Sequence, residues 1–333
     1  MNQSVINTLN DPQLLDVCSY HVKRLERMFA GDRTDGPFLL SGYGGHGKAD
    51  PEKEPEKWVE ECLENLYEHA DLAADRKVFR PLVSEYWFWG VHFTDMVFGA
   101  KVRSRSGLWW SPGVENELGE LPVPDLETNE FWKTAQRLTL AQVSYGVTLP
   151  FFTTQVLGEP WNQFYNIYKD RALTGFYDDP EGMKRDLDIV TDTLVEMHKW
   201  FLSVIPAKNY QPICAGGRFQ PYGHGQMCGC STHLISGQLY EEFIRPLDER
   251  VASLFPKGVM LHLCGNHVQH IPAWRKMPGI CAFQLNDRAI DDLSEFYNRT
   301  RPEQLLYLNP SQNMPISKIL EITDNGQKSV IIV

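Results

Sequence analysis

Apolar residues recur at helical spacing over residues 11–30, where Leu14, Leu15, Val17, Cys18, Val22, Leu25 and Met28 share one side of a predicted helix. A turn at 31–37 leads into a short apolar run, Phe38-Leu39-Leu40, and then a loop at 41–55 rich in Gly, Lys and Glu. A second amphipathic helix is predicted over 56–74, apolar along Trp58, Leu63, Leu66 and His69. Residues 80–90 predict a strand ending in an aromatic segment, and the acidic, proline-containing stretch 114–130 predicts a surface excursion. From there, helical stretches (130–145, 160–172, 180–204, 237–254, 290–298 and 315–325) alternate with short apolar runs at 148–152, 259–263, 281–285, 305–308 and 330–333. Short apolar strands separated by helices imply a parallel sheet covered on both faces. Doubly wound and barrel folds share this alternation. The number of runs in 333 residues favours a single (β/α)8 TIM barrel over 1–333, with 1–78 as an N-terminal helical extension packed on it. In such a barrel the chemistry lies at the C-terminal ends of the strands.

Charge narrows the partners. A formal charge of −11 and a pI near 5.4 argue against a nucleic-acid backbone or an anionic membrane surface. No apolar run has the length of a membrane span, and the first residues lack the basic-then-apolar layout of a signal peptide, so a cytoplasmic location is the default expectation. The cysteines number seven, an odd count, and Cys214, Cys228, Cys230 and Cys264 crowd into one part of the chain. That distribution points to thiolate chemistry in preference to a disulfide framework.

The strongest chemical signal is Val259-Met-Leu-His262-Leu-Cys264-Gly265. Residues two apart on a strand face the same side, so His262 and Cys264 converge, and an imidazole with a thiolate suits zinc. The competing reading is a buried histidine packed beside a buried cysteine. A second cluster, Gly223-His224-Gly-Gln226-Met-Cys228-Gly-Cys230-Ser-Thr-His233, repeats the two-residue spacing on a neighbouring connection. Cys228 and Cys230 are therefore candidate metal ligands, or thiols packed in a glycine-rich loop. His224 and Gln226 are candidate substrate contacts. Gly42-x4-Gly47-Lys48 has the skeleton of a phosphate loop, but Ala49 stands where the magnesium-binding hydroxyl belongs, and a mobile glycine loop near the mouth is expected instead. Glu85, Trp87 and Trp89 alternate on the predicted strand, so Glu85 is a candidate general acid framed by Tyr86, Trp87 and Trp89 as a substrate wall, or the stretch is an aromatic core strand. Asp287, a candidate catalytic carboxylate, and Asn309, a candidate substrate contact, end two apolar runs; helix capping is the alternative role.

Cys230-Ser-Thr-His-Leu-Ile-Ser236, Tyr240-Glu-Glu-Phe-Ile-Arg-Pro246 and His262-Leu-Cys264-Gly265 together resemble the uroporphyrinogen decarboxylase superfamily. The His-x-Cys resembles its zinc-dependent, cobalamin-linked methyltransferase branch in particular. Weaker similarity runs through residues 32–37, 98–102 and 178–181, so nearly the whole chain is covered. The resemblance implies a zinc ion on His262, Cys264 and a later cysteine, a corrinoid carried by a partner protein, and a small-molecule methyl donor or thiol acceptor. No cysteine follows Cys281, and the sequence ends on Val330-Ile-Ile-Val333 without the closing helix. The expectation is a chain cut short relative to its natural product, its last strand open to water on one face; the alternative, a complete chain, has Cys228 or Cys230 supply the missing thiolate. A metal-free decarboxylase-like lyase fits less well, since the segment Phe38–His46 carries no arginine to grip substrate carboxylates. A non-catalytic barrel that binds a corrinoid protein or small ligand is the third reading.

Overall fold

The computed structural model describes residues 2–32, 36–85, 89–105, 108–149, 151–211, 216–326 and 330–333. The chain builds a TIM-barrel-like fold from parallel strands and covering helices. β1 (Phe38–Leu39) and β2 (Tyr43–Gly45) are two halves of one bent strand, followed by β3 (Leu82–Ser84) and an antiparallel hairpin, β4 (Arg103–Arg105) and β5 (Leu108–Trp110). Next come β6 (Phe151–Thr153), β7 (Tyr210–Gln211), β8 (Gly225–Cys228), β9 (Val259–Leu263), β10 (Ile280–Leu285), β11 (Leu305–Leu308) and β12 (Val330–Ile332). One sheet runs β1-β12-β11-β10-β9-β8 and another β2-β3-β6-β7, so the bent strand joins the two. The seam between β7 and β8 is bridged by amides: Gln220 N–H donates to Gln211 Oε1 at 3.1 Å, and Gln211 Nε2 to Gln220 O at 2.9 Å.

Alternation along the strands sorts the core. Leu261, Leu263, Phe283, Leu285, Leu306 and Leu308 pack outward against the helices, whereas Met260, Ala282, Leu305, Tyr307 and Ile331 gather inside. The interior set continues into the helix Pro12–Phe29, which closes one end of the barrel with Cys18, Leu25 and Met28. Asp11 caps that helix by accepting from the N–H groups of Gln13 and Leu14, and Pro12 sits in the first turn, where no N–H is needed. Leu25 and Met28 are fully buried, each stabilising the plug by about 1.5–3 kcal/mol.

Cross-strand register then sets the depth of each interior side chain. Cys228 pairs with His262, His262 with Gln284, Gln284 with Tyr307 and Tyr307 with Ile331, which defines one layer. One layer deeper, Gln226, Met260, Ala282 and Leu305 follow the same pairing. Two residues further along each strand, beyond the ladders, stand Cys230, Cys264, Asn286 and Asn309. The lumen thus grades from apolar near the plug to polar at the mouth.

Several sequence expectations are corrected here. Within the 1–78 segment, the helices Gln3–Leu9, Pro12–Phe29 and Pro55–Glu68 are joined by the short strands Phe38–Leu39 and Tyr43–Gly45. The strand predicted over 80–90 stops at Ser84, and Trp89 adopts a left-handed backbone (φ 61°) at the start of a helical turn, which ends the alternation expected for Glu85, Trp87 and Trp89. The glycine loop is partly strand and tightly packed: a Cβ on Gly47 would lie 2.3 Å from the Trp58 carbonyl oxygen. Its Lys48 and Ala49 N–H groups both donate to Glu61 Oε2 at 2.6 Å, so a carboxylate takes the place of an anion there. The last strand is not open to water. Val330, Ile331 and Ile332 are buried because β12 is flanked by β11 and β1 and its outward residues join the main core.

Candidate metal centre

Cys230, His262 and Cys264 meet at the barrel mouth. Their ligand atoms all lie within 4.8 Å of one another, the one group of its kind among the described residues. Cys264 Sγ is 3.0 Å from His262 Nε2 and 3.1 Å from Cys230 Sγ. His262 and Cys264 arrive on and just beyond β9, as the two-residue spacing predicts. Cys230 follows β8 by two residues, and the Cys228–His262 register brings it beside Cys264.

The imidazole is oriented from behind. His262 Nδ1 donates to Gln284 Oε1 at 2.7 Å, and Gln284 Nε2 donates in turn to Asn309 Oδ1 at 2.9 Å. The amide oxygen accepts only, so it fixes the proton on Nδ1 and leaves the Nε2 lone pair facing the thiols. Asn286 Nδ2 approaches Cys264 Sγ at 3.7 Å. The thiol of Cys230 donates to Cys264, which holds the Cys264 thiol well below its ordinary range, with a further contribution from His262, while Cys230 is pushed far up. The two sulfurs share a proton that a cation would displace.

A clamp from the β6 side fixes Cys230. Glu159 N–H donates to Cys228 O at 3.0 Å, and Thr232 Oγ1 donates to Glu159 Oε2 at 2.7 Å. Trp161 Nε1 donates to Ser231 O at 3.1 Å, and Ser231 N–H donates to Asn162 Oδ1 at 2.9 Å. Four hydrogen bonds from residues 159–162 therefore frame the turn that carries the third ligand. Glu159 is buried, and desolvation followed by the nearby Asp248 carboxyl pushes its pKa up.

This donor set fits zinc. Two thiolates and a neutral imidazole balance a divalent cation, and three protein donors leave a fourth position free, as in catalytic sites. Tetrahedral zinc spaces its ligand atoms about 3.5 Å apart, so these donors need to part by roughly half an ångström.

No family model matches the chain, and no curated protein matches it in sequence. A solved structure matches over almost its whole length: a methyltransferase from Methanosarcina mazei, at 12% identity and a TM-score of 0.64, covering 94% of this chain and 92% of that one. The fold is shared.

The other predicted site residues fall in several places. Cys228 shares the layer of His262 but stands outside the three-donor group; its sulfur lies 4.0 Å from Arg218 Nη1, and burial pushes its pKa up to about 11. Asn309 serves the centre indirectly, through Gln284. Gln226 lies one layer deeper, fully buried, with its Nε2 unpartnered among the described residues. His224 precedes β8 at the plugged end: its ring meets Phe29 at 4.1 Å and its Nδ1 bonds Pro221 O at 3.0 Å, which removes it from the mouth. Trp89 is core, stacked on Phe93 and bonded through Nε1 to Glu52, in place of lining a substrate wall. Glu85 lies over Gly44, where a Cβ would come within 2.1 Å of its carboxyl carbon, and Asp287 is exposed with a left-handed backbone; neither carboxylate belongs to the donor group. Tyr86, Trp87 and Cys214 lie outside the described residues.

Sequence reasoning missed Gln284, Arg218 and the 159–162 clamp. A glutamine inside the apolar run Ile280-Cys-Ala-Phe-Gln-Leu285 is a readable anomaly, two residues from Asn286 and hence on the same face. Arg218 and the clamp sit in stretches without periodic pattern, and nothing in the sequence marks them.

Proposed function

We propose that this chain is a zinc-dependent methyltransferase that moves a methyl group between a corrinoid carried by a partner protein and a small-molecule donor or thiol acceptor. One observation carries the reading: a Cys-His-Cys donor set with an open fourth position, at the mouth of a barrel whose fold matches that of a methyltransferase. Bound there, zinc supplies a Lewis acid that favours the anion of an entering thiol or polarises the heteroatom of a methyl donor.

The chain's own residues prepare that position. Gln284 and Asn309 hold the imidazole so that its lone pair points at the two sulfurs. Asn286 approaches Cys264 with an N–H donor, steadying the sulfur as a thiolate. The 159–162 clamp keeps Cys230 opposite Cys264, so that only a small parting of the two sulfurs is needed on binding. Beneath lie Met260, Ala282 and Leu305, with the buried Gln226 in the same layer, and their burial strengthens each of these interactions. The lyase reading finds no support in a donor set this soft.

Elemental analysis of the purified full-length protein tests the proposal. Zinc near one per chain is expected, lost in His262→Ala and in Cys230→Ser, and retained in Cys228→Ser. The wild type is then expected to consume methylcobalamin in the presence of a thiol, followed by its visible absorption. Wild-type protein without bound metal, or metal that persists in His262→Ala, overturns the reading; metal without methyl transfer leaves only the binding barrel.

A further inference from the structure

The sulfurs of Cys230 and Cys264 stand 3.1 Å apart, closer than a shared cation would hold them and farther than a covalent bond. Tetrahedral zinc parts such sulfurs to about 3.5 Å, and a disulfide draws them to about 2.0 Å. The pair lies between those two distances.

The backbone suits either. Cys228 pairs with His262 in the β8–β9 ladder, and Gly229 extends it by donating its N–H to His262 O at 3.0 Å. Cys230 and Cys264 follow as neighbours at adjacent strand ends, and paired strands run about 4.8 Å apart. That spacing falls within the roughly 4.4–6.8 Å between Cα atoms that a disulfide spans. The turns beyond them brace each other, which limits how far either cysteine can move. His233 Nδ1 donates to Cys230 O at 2.6 Å, and a Cβ on Gly265 would meet the His233 ring at 3.0 Å. Gln269 Nε2 donates to His233 O and Ile235 O, each at 3.4 Å. Closing the sulfurs to bond length therefore asks for side-chain rotation and not for movement of the strands.

Exposure singles the pair out. Cys230 and Cys264 are half-exposed at the mouth, whereas Cys18, Cys62 and Cys228 are buried. Cys281 is also half-exposed but lies at the plugged end, its Sγ donating to Val259 O at 3.3 Å.

The geometry points to a redox switch: Cys230 and Cys264 are the site at which a hydroperoxide oxidises this chain, and the disulfide they form shuts the metal centre. One sulfur attacks a peroxide oxygen, the O–O bond breaks, and a sulfenic acid forms as water or an alcohol leaves. The second sulfur attacks the first, the S–O bond breaks, and water leaves. Two electrons pass from the sulfurs to the peroxide, and both thiol protons end in the departing molecules. His262 is then the lone donor of the set, too few to hold a divalent cation. Disulfide and metal exclude each other, and a dithiol reopens the site by exchange. This rests on the metal-centre reading above and adds a form of regulation to it.

The test exposes the full-length protein, metal-free and zinc-loaded, to a small excess of hydrogen peroxide and counts its thiols in denaturant. Metal-free protein is expected to lose two of its seven thiols, with a Cys230–Cys264 link among its peptide masses, while zinc-loaded protein keeps all seven. Zinc uptake is expected to fall from one per chain to none on oxidation and to return with dithiothreitol. Cys228→Ser is expected to behave as the wild type, and Cys230→Ser to form no link. A link made through Cys228, thiols oxidised without a link, or unchanged zinc uptake by the linked protein overturns the switch while leaving the metal centre standing. Reduced protein that takes up no zinc overturns both.

Discussion

Gln284→Leu isolates the support of the metal centre from its ligands. Gln284 is 2% exposed and leucine nearly matches its volume, so packing is retained while two hydrogen bonds are lost. His262, 3% exposed, is left with a buried Nδ1–H and no acceptor, a cost of about 1–3 kcal/mol in the metal-free protein. Asn309 is half-exposed and its freed oxygen can reach water, so it adds little. Freed from the amide, the imidazole also samples the tautomer and rotation that turn its lone pair away from the thiols. Loss of such an outer partner lowers metal affinity by about 10–100-fold, or about 1.4–2.7 kcal/mol at 25 °C. The two effects separate in one assay. Urea unfolding of the metal-free proteins reads the first, and the additional stabilisation produced by a fixed excess of zinc reads the second, since that increment follows the logarithm of ligand over dissociation constant. A chelator competition gives the affinity directly. Should Gln284→Leu bind zinc as tightly as the wild type, the Asn309–Gln284–His262 relay plays no part in preparing the site, whatever the variant does to stability.

Two further outcomes follow from other parts of the structure. Trp161→Phe and Asn162→Ala each remove one bond to Ser231, and weaker cobalt(II) uptake is expected together with a fall in charge-transfer intensity from two thiolates toward one; an unchanged spectrum would show that the clamp does not position Cys230. His198 is buried with both ring nitrogens unpartnered among the described residues, and desolvation lowers its pKa to about 4 from 6.5. Because the folded pKa is depressed, its contribution is intact above pH 6.5 and is lost as pH falls toward 4, amounting to about 2 kcal/mol at pH 5. His198→Met is therefore expected to gain about that much relative to wild type between pH 7.5 and pH 5 in urea unfolding; a gap that does not change with pH contradicts a neutral buried imidazole.

The strands of the second half were legible because each is a short apolar run: Val259–Leu263 and Leu305–Leu308 appear where the pattern puts them. His262 and Cys264 were legible for the same reason, since a two-residue spacing on a strand determines a shared face. The choice between Cys228 and Cys230 was not. Both share one face, and only the Cys228–His262 register decides which sulfur stands at the level of Cys264. Register is a relation between strands, and one sequence does not carry it. Trp89 misled because alternation was carried past Ser84, where the backbone leaves the strand. His224 misled for a related reason: adjacency in sequence to Cys228 hid the fact that a strand's two ends open on opposite sides of the barrel.

The helix Pro12–Phe29 gives the barrel a single door. With Leu25 and Met28 fully buried in its floor and Phe29 seated on His224, the described residues of the far end are packed with side chains. Whatever delivers a group to Cys230, His262 and Cys264, and whatever carries it away, must use the same opening. Under the proposed function, the corrinoid partner and the small molecule would therefore share one face of the barrel, the one that carries Cys230, His262 and Cys264.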